Sequence, residues 1–277
     1  MYTDKWFDYC FGYQEGFGKV RLNGKWNFIG TDGKLLSTRW LKYCGDFKEG
    51  FACVKVGDNW NFIGKDGKLL SDVWFGWCDY FSEGFAFVDL NGKRNYIGKD
   101  GSLLSSTWFD DCYDFREGFA VVELNGKKNF IGKDGKLLSD VWLDYCSNFS
   151  EGFARVKVDC EWNFIGKDGK LLSSHWFDYC TNFREGFARV KVDGKWNFIG
   201  EDGKLFPSTW FGYCDDFNEG FAGVELDDKY NFIGKDGKIL SDVWLDWCGV
   251  FREGFAEVEN QGKTYFIDKE GGLHEHR

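Results

Sequence analysis

Apolar and polar side chains nearly alternate through Phe187–Val192, a pattern typical of a strand that is covered on one face. The dipeptide Asp193-Gly194 follows it, and Asp-Gly favours the positive φ angles of a two-residue hairpin turn. The residues after this turn, Lys195–Gly200, are predicted to form the return strand. The segment therefore predicts an antiparallel β-hairpin.

Two further elements are predicted around the hairpin. The tripeptide Lys-Asp-Gly, for example at 65–67, is a second turn signal, and the Leu-Leu-Ser that follows predicts a short third strand. The segment Trp-Phe-Asp-Tyr-Cys at 176–180 is compatible with a fourth strand or with a single helical turn. Periodicity over so few residues does not separate these two possibilities.

The whole pattern recurs every 34 residues. Glu-Gly-Phe begins at Glu15, Glu49, Glu83, Glu117, Glu151, Glu185, Glu219 and Glu253. A Trp recurs in the same phase from Trp6 to Trp244, and a Cys follows each Trp by four positions, from Cys10 to Cys248. Such self-similarity predicts a single repeat domain over 1–277, with units at about 3–36, 37–70, 71–104, 105–138, 139–172, 173–206, 207–240 and 241–274.

The expected fold is all-β: a tandem array of antiparallel hairpin or meander units that cover one another's apolar faces. An open, solenoid-like superhelix is favoured over a closed propeller-like ring, because a propeller blade takes about 40 residues or more. The last unit also resembles a cap, since Thr264 replaces the hairpin Trp, Asp268 replaces Gly, and the tail 273–277 is polar. A polar end unit is what an open array requires.

The string Gly-Lys-Trp-Asn-Phe-Ile-Gly-Glu-Asp-Gly-Lys at 194–204 resembles the bacterial WG-repeat family, as does Phe-Arg-Glu-Gly-Phe-Ala-Arg-Val at 183–190. The resemblance covers all the units and implies an all-β repeat protein of a family whose biochemical role is generally unknown. Asn stands where the family has Gly, at Asn27, Asn61, Asn95, Asn129, Asn163, Asn197 and Asn231. Because Asn tolerates positive φ better than other non-Gly residues, we expect the backbone to keep its shape there.

Composition excludes several classes of function. Asp and Glu outnumber Lys and Arg by 45 to 35, and this acidic balance argues against a nucleic-acid partner. No run approaches 18 apolar residues, so no membrane-spanning helix is expected, and the first residues have no apolar signal-peptide core. The in-phase Cys residues are expected to be buried apolar fillers, which implies a reducing compartment and a cytoplasmic location.

Comparison of the copies within the chain points to a candidate contact surface. One hairpin position holds Trp26, Trp60, Arg94, Lys128, Trp162, Trp196 and Tyr230, and we call this set the hairpin column. A position that accepts Arg and Lys is not deep core, because a buried unpaired charge is too costly. We therefore expect the column to be partly exposed and to bind a ligand. The simpler alternative is that its rings only cover the hairpin face and pack across strands.

A second variable position holds mostly aromatic residues. It consists of Tyr9, Tyr43, Trp77, Asp111, Tyr145, Tyr179, Tyr213 and Trp247, and we call it the edge column. The one charged exception in this column is Asp111.

Candidate catalytic and metal-binding groups are repeated in near-identical copies. A catalytic carboxylate pair needs two unlike environments, which such copies do not provide. The Asp of Lys-Asp-Gly is explained by turn formation, and Glu15 and its equivalents are expected to accept backbone hydrogen bonds at a bend. His274 and His276 in the tail are a weak metal signal, so neither a cofactor nor a metal is expected.

These observations predict a non-enzymatic scaffold that presents a recurrent aromatic and basic stripe for multivalent protein or peptide binding. One alternative is a lectin-like module that stacks its Trp and Tyr rings on glycans. A further alternative is a structural spacer without a ligand.

Overall fold

The computed structural model describes residues 7–275, so the predictions for Trp6 and His276 lie outside the described residues. The described residues form strands, turns and bends and contain no helix, which also means that no helix among them could cross a membrane. The predicted all-β class and the tandem array of antiparallel units are confirmed. The chain divides into two compact units, Met1–Trp142 and Leu143–Arg277.

The strands of the first unit are β1 (Tyr9–Gln14), β2 (Phe17–Leu22), β3 (Lys25–Gly30), β4 (Tyr43–Cys44), β5 (Phe51–Val56), β6 (Asn59–Gly64), β7 (Trp77–Cys78), β8 (Phe85–Leu90), β9 (Lys93–Gly98), β10 (Asp111–Cys112), β11 (Phe119–Leu124) and β12 (Lys127–Gly132). They form the three-stranded sheets β1-β2-β3, β4-β5-β6, β7-β8-β9 and β10-β11-β12. We number these sheets repeats 1 to 4.

The strands of the second unit are β13 (Tyr145–Cys146), β14 (Phe153–Val158), β15 (Glu161–Gly166), β16 (Tyr179–Cys180), β17 (Phe187–Val192), β18 (Lys195–Gly200), β19 (Leu205–Phe211), β20 (Tyr213–Cys214), β21 (Phe221–Leu226), β22 (Lys229–Gly234), β23 (Trp247–Cys248), β24 (Phe255–Asn260), β25 (Lys263–Asp268) and β26 (Leu273–Glu275). Repeats 5 to 8 are the sheets β13-β14-β15, β16-β17-β18-β19, β20-β21-β22 and β23-β24-β25-β26.

The hairpin turns form where the Asn-Gly and Asp-Gly dipeptides predict them. Asn23 and Gly24 have φ angles of 49° and 77°, and Leu22 pairs directly with Lys25 across the turn. Positive φ at both central residues is the geometry that these dipeptides favour, and it matches the twist of the flanking strands.

The segment that ends in the in-phase Cys is a strand rather than a helical turn. In repeat 2, Tyr43 and Cys44 pair antiparallel with Lys55 and Val54 at one edge of the sheet. The predicted third strand is only an isolated bridge in repeat 1, between Ile29 and Leu35, but it becomes a full strand in repeat 6 as β19. In repeat 8 the edge is covered by β26, which pairs with β25.

The recurrent Glu lies in a tight turn with left-handed backbone. Glu49 and Gly50 have φ angles of 51° and 93°, while Lys48 and Phe51 pair across them. Left-handed φ costs a non-Gly residue about 1 kcal/mol, and Asn or Asp tolerates it better than Glu. The retention of Glu at every copy therefore requires a compensating contact.

That compensating contact joins neighbouring repeats. Glu15 Oε2 accepts a hydrogen bond of 3.0 Å from the backbone N–H of Gly50 in the next repeat, and it lies 3.0 Å from Lys65 Nζ. The hydrogen bond from Lys65 lowers the pKa of Glu15, against the opposing effect of burial. Glu185 in the second unit repeats the arrangement with Gly220 and Lys235. The expectation that these Glu residues accept backbone hydrogen bonds is confirmed, and the donor belongs to the following copy.

The expectation of positive φ at the Asn column is wrong. Asn163 lies inside β15, is fully buried and does not have a positive φ. Its Nδ2 donates to the carbonyls of Ser173 and His175 at 2.9 and 3.1 Å, and its Oδ1 accepts from the N–H of Phe164 at 2.8 Å. The amide therefore holds the segment that leads to the next repeat against the hairpin. Asn is required here for the hydrogen bonds of its side chain and not for its tolerance of positive φ.

The apolar core lies between consecutive sheets. In the second unit, Phe164 of repeat 5 packs with Cys180, Phe183 and Val190 of repeat 6, and the rings of Phe164 and Phe183 are 5.1 Å apart. In the first unit, Phe62 and Phe81 make the same contact between repeats 2 and 3 at 5.0 Å. Within each unit the repeats thus cover one another, as a sheet too small to be stable alone requires.

Candidate binding surface

Strand register places three variable positions of each repeat in one row across the sheet. In repeat 6, Tyr179 of the edge column is opposite Lys191, and Lys191 is opposite Trp196 of the hairpin column. Directly opposed residues share a face of the sheet, so the three side chains are neighbours. We call the central position the middle column; it holds Arg21, Lys55, Asp89, Glu123, Lys157, Lys191, Glu225 and Glu259.

Rings of the two outer columns alternate to form a continuous series. In the second unit, the centroid distances are 5.3 Å from Tyr145 to Trp162, 5.9 Å from Trp162 to Tyr179, and 6.0 Å from Tyr179 to Trp196. In the first unit, Trp60 lies 5.3 Å from Tyr43 and 4.8 Å from Trp77. These separations are those of interacting aromatic pairs. We call the series the aromatic ladder.

The hairpin column is less exposed than a contact surface would be. Trp60 is buried, at 8% exposure, and the expectation of a partly exposed residue is wrong there, because the ring is enclosed by Tyr43 and Trp77. The other members are half-buried: Trp26, Arg94, Lys128, Trp162, Trp196 and Tyr230. Half-burial also explains how the column accepts Arg94 and Lys128, whose charged ends reach solvent or a partner.

The edge column carries the exposed rings. Tyr43, Trp77 and Tyr179 are 42%, 48% and 42% exposed, and Tyr213 and Trp247 are similar. The sequence shows that this column is mostly aromatic. Its exposure follows from its position on the short strand at the sheet edge, and sequence periodicity could not distinguish this strand from a helical turn. The candidate surface therefore consists of exposed edge-column rings with hairpin-column rings between them.

Cations of the chain lie over several hairpin-column rings. Lys55 Nζ is 5.1 Å from the centroid of Trp60, and Lys191 Nζ is 5.2 Å from that of Trp196. Arg155 and Lys157 approach Trp162 to 5.4 and 5.3 Å in the same way. These are cation–π distances, so the surface in repeats 2, 5 and 6 is aromatic and basic, with cations that lie outside the predicted hairpin column.

The sign of the middle column changes in blocks of two repeats, a pattern that sequence reasoning missed. It is basic in repeats 1 and 2, acidic in repeats 3 and 4, basic in repeats 5 and 6, and acidic in repeats 7 and 8. In repeat 4 the acid meets a cation, since Glu123 lies 3.2 Å from Lys128 Nζ. Comparing this one position among the copies would have revealed the blocks.

The turn Asp and the tail His that the sequence singled out have structural contacts. Asp66 Oδ1 accepts from the N–H of Lys68 at 3.0 Å, so the turn role predicted for the Lys-Asp-Gly residue is confirmed. His274 hydrogen-bonds Asp268 at 2.6 Å. Residues 7–275 contain no group of three His, Cys, Asp or Glu side chains placed to hold a metal ion.

The in-phase Cys residues are buried from Cys44 to Cys248, as expected for fillers, whereas Cys10 is exposed. Burial raises the pKa of Cys180 to about 12. Of the two out-of-phase residues, Cys160 is exposed, and Cys53 is buried with its Sγ 2.7 Å from that of Cys78 in the next repeat.

Repeats 7 and 8 border a groove of about 790 Å³. Its aromatic lining includes Tyr213, Tyr230 and Trp247, and its charged lining consists of Asp215, Glu257 and Arg252. Both columns of the candidate surface thus border a concave site at this end of the second unit.

Comparisons with known proteins support the repeat architecture. The family model described as "WG containing repeat" matches residues 7–26, 28–60, 62–93, 96–127, 130–162, 162–196, 211–230 and 232–263. No curated protein shows significant similarity to the chain.

Several solved structures are similar to the chain at low identity. A crystal structure of "the eukaryotic initiation factor" is 10% identical over 95% of this chain and 85% of that chain, with a TM-score of 0.40. Kluyveromyces lactis Hsv2 is 9% identical over 96% of both chains, with a TM-score of 0.35. Apo AztD from Citrobacter koseri is 13% identical over 90% of both, with a TM-score of 0.33. Likeness at this level carries no conclusion about function.

Proposed function

The chain belongs to the family built from WG containing repeats, and from this premise we propose that it is a non-catalytic scaffold that binds an extended peptide or a repetitive protein surface through the aromatic ladder. The observation that carries the proposal is the ladder itself. Rings such as Tyr145 and Tyr179 are 38% and 42% exposed, yet each is held by a half-buried Trp next to it. Rigid, exposed aromatic side chains are the residues that dominate protein interfaces.

Repetition supplies the affinity in this proposal. One exposed ring offers a weak contact, but successive repeats present the same contact at a fixed interval. A partner with several matching groups converts later contacts into intramolecular ones, which raises overall affinity by about 10²–10⁴. The acidic net charge of −10 favours basic or neutral partners over anionic ones such as nucleic acid.

The test uses the exposed rings rather than the half-buried ones. Substitution of Trp162 or Trp196 would disturb the core clusters in which they pack, so a loss of binding would be ambiguous. A variant with Tyr43→Ser, Trp77→Ser, Tyr145→Ser and Tyr179→Ser removes the outer rings of the ladder. The matched control carries Val73→Ser, Val141→Ser and Val243→Ser, since these side chains are 49%, 59% and 43% exposed.

The probe is a displayed library of random dodecapeptides selected on the wild-type chain. We expect enriched sequences whose tandem peptides bind at least about tenfold more tightly than single copies, with binding lost in the ring variant and kept in the valine variant. Binding on a glycan array that depends on the same rings would instead support the lectin-like alternative. An absence of binding to both probes, with unaltered thermal stability of the ring variant, would support a spacer.

A further inference from the structure

The groove between repeats 7 and 8 lies where repeats 5 and 6 hold their own cations. In repeat 5 the guanidinium of Arg155 lies over Trp162 and donates from Nη1 to the carbonyl of Cys180 at 3.0 Å. In repeat 6, Arg189 lies 5.3 Å from the centroid of Trp196 and donates to the carbonyl of Cys214 at 2.6 Å. The side chain at this position therefore crosses from one repeat to the edge strand of the next.

Repeat 7 lacks both cations. Gly223 stands at the position of Arg189, and Glu225 stands at the position of Lys191. A Cβ on Gly223 would lie 3.0 Å from Asp215 Oδ2 and 3.1 Å from Cys248 Sγ, so the adjacent carboxylate takes part of the space that an arginine side chain fills in repeat 6. The replacement leaves Tyr213, Tyr230 and Trp247 along a groove that opens to solvent.

Charge in the groove favours a cation. Asp215 and Glu257 both line it, against the single cation Arg252. The hydroxyl of Tyr213 donates to Asp215 Oδ1 at 2.9 Å, which fixes this carboxylate beside the ring. Two middle-column charges show complementary contacts: Lys191 lies over Trp196, and Glu123 pairs with Lys128. Glu225 is opposite the neutral ring of Tyr230, and its Oε1 accepts a hydrogen bond of 2.9 Å from the backbone N–H of Asp228.

We propose that this groove binds a basic side chain, the guanidinium or ammonium group of a partner peptide. The cation would lie against Tyr230 and Trp247 as Lys157 lies against Trp162, and it would pair with Asp215 and Glu257 as Lys128 pairs with Glu123. An external cation would thereby make in repeats 7 and 8 the two kinds of contact that the chain makes with its own cations: the ring contact of repeats 2, 5 and 6, and the carboxylate pair of repeat 4. The peptide nature of the ligand rests on the proposed function, whereas the cation site stands on this geometry.

The experiment is calorimetric titration of the full chain with the acetylated, amidated peptide Gly-Arg-Gly. The same peptide with citrulline in place of arginine keeps the shape and removes the charge. We expect the citrulline peptide to bind at least about tenfold more weakly, and the affinity of the arginine peptide to fall with added salt. Free guanidinium ion is the third probe, and we expect it to bind more weakly than the arginine peptide.

Variants locate the site. The Asp215→Asn/Glu257→Gln pair should weaken the arginine peptide by about tenfold or more, and Arg252→Gln should strengthen it. Glu225→Lys copies the charge that repeats 5 and 6 carry, so it should fold normally and compete with the peptide. Glu161→Gln, an exposed carboxylate in repeat 5, is the matched control and should change nothing.

The proposed cation site would be contradicted if the citrulline peptide bound as tightly as the arginine peptide. It would also be contradicted if both Glu225→Lys and the Asp215→Asn/Glu257→Gln variant bound the arginine peptide with unchanged affinity. Guanidinium ion that binds as tightly as the peptide would overturn the assignment to a peptide. Tyr145→Ser/Tyr179→Ser removes ladder rings of repeats 5 and 6 and should leave the arginine peptide bound, so failure of the proposed function is distinguishable from failure of this site.

Discussion

Arg94 and Asp111 form an ion pair between repeats 3 and 4, and they are the charged substitutions of the hairpin column and the edge column that face each other. In the equivalent places Trp60 contacts Trp77, and Trp162 contacts Tyr179. The contact from the hairpin column of one repeat to the edge column of the next is therefore kept when its chemistry changes from ring–ring to ion pair. What the repeats retain is the contact between a hairpin-column position and the edge-column position of the next repeat, whichever residues occupy them.

Replacing Arg94 by a Trp ring while Asp111 is kept should lower the free energy of unfolding. Arg94→Trp leaves the Asp111 carboxylate against an apolar ring, and we expect a loss of up to about 1 kcal/mol, because both groups are about one third exposed. The double variant Arg94→Trp/Asp111→Tyr recreates the pair of repeats 5 and 6 and should be close to wild type in stability. Urea denaturation of wild type, Arg94→Trp, Asp111→Tyr and the double variant measures the coupling, expected at about 0.5–1 kcal/mol. Additive effects of the two substitutions would contradict this account.

Sequence comparison among the copies predicted the ladder only in part. Acceptance of Arg94 and Lys128 correctly indicated incomplete burial for most of the hairpin column. The link between Arg94 and Asp111 could not be predicted, because it depends on how one sheet is placed on the next. Trp60 shows the same limit: its burial is caused by Tyr43 and Trp77, rings from positions whose strand could not be assigned from five residues.

Elements that depend on backbone φ angles, such as the hairpin turns, could be predicted from the sequence. Contacts that depend on a side-chain hydrogen bond were harder to predict. Asn-Gly and Asp-Gly predict their hairpin turns through φ, whereas Asp159-Cys160 and Asp227-Asp228 adopt the same positive φ angles without Gly. The prediction of positive φ at Asn163 is wrong because Asn has two properties that could explain its recurrence, tolerance of positive φ and hydrogen bonding by its amide. The structure shows the hydrogen bonding. Glu15 was recognised as an acceptor, but its donor, Gly50, lies in the following repeat and gives no local signal.

Glu185 should stabilise the protein only through the next repeat. It holds the strained turn at φ 53° and accepts from the N–H groups of Glu219 and Gly220 at 2.8 and 3.0 Å. Asn suits the left-handed backbone better but is too short to reach those donors. We therefore expect Glu185→Asn to cost about 1–3 kcal/mol in thermal or urea denaturation.

Glu253 is the matched control for this substitution. Its φ is 52°, but no further Glu-Gly-Phe follows it in the sequence. Glu253→Asn should therefore be neutral or slightly stabilising, because it relieves the left-handed strain without removing a contact to a later copy. Equal destabilisation by both substitutions would show that the turn, and not the contact between repeats, sets the requirement for Glu.

Asn163 should hold the segment around Ser173 and His175 in place against the hairpin. Asn163→Ala leaves the carbonyls of Ser173 and His175 without their amide donor and the N–H of Phe164 without its acceptor, at a cost of about 1–3 kcal/mol. Hydrogen exchange gives a local readout: the amide of Phe164 should exchange faster in the variant by more than the change in global stability accounts for. Asn148→Ala, at an exposed position, is the control, and a similar effect from it would contradict this role.

Ionisation of buried thiols should limit stability at alkaline pH. Burial raises the pKa of Cys44, Cys112 and Cys180 to about 12, whereas an unfolded thiol titrates near 8.5. Because the folded pKa is the higher one, the neutral thiol stabilises the fold fully below about pH 8.5, and this contribution is lost as the pH rises toward 12. Each thiol changes the unfolding free energy by up to about 1.4 kcal/mol per pH unit in that window.

Cys180→Ala removes one such group, so its unfolding free energy should fall less steeply than that of wild type between pH 9 and about pH 12. Tyr and Lys titrate in the same range, but they are common to both proteins and cancel in the comparison. Cys160→Ala is the control, because Cys160 is exposed in a hairpin turn and should not change the slope. Native-state alkylation gives an independent check: iodoacetamide should modify Cys10 and Cys160 rapidly and Cys180 only at the rate of unfolding. Modification of Cys180 as fast as Cys160 would show that the thiols between the repeats are open to solvent and that burial does not set their pKa.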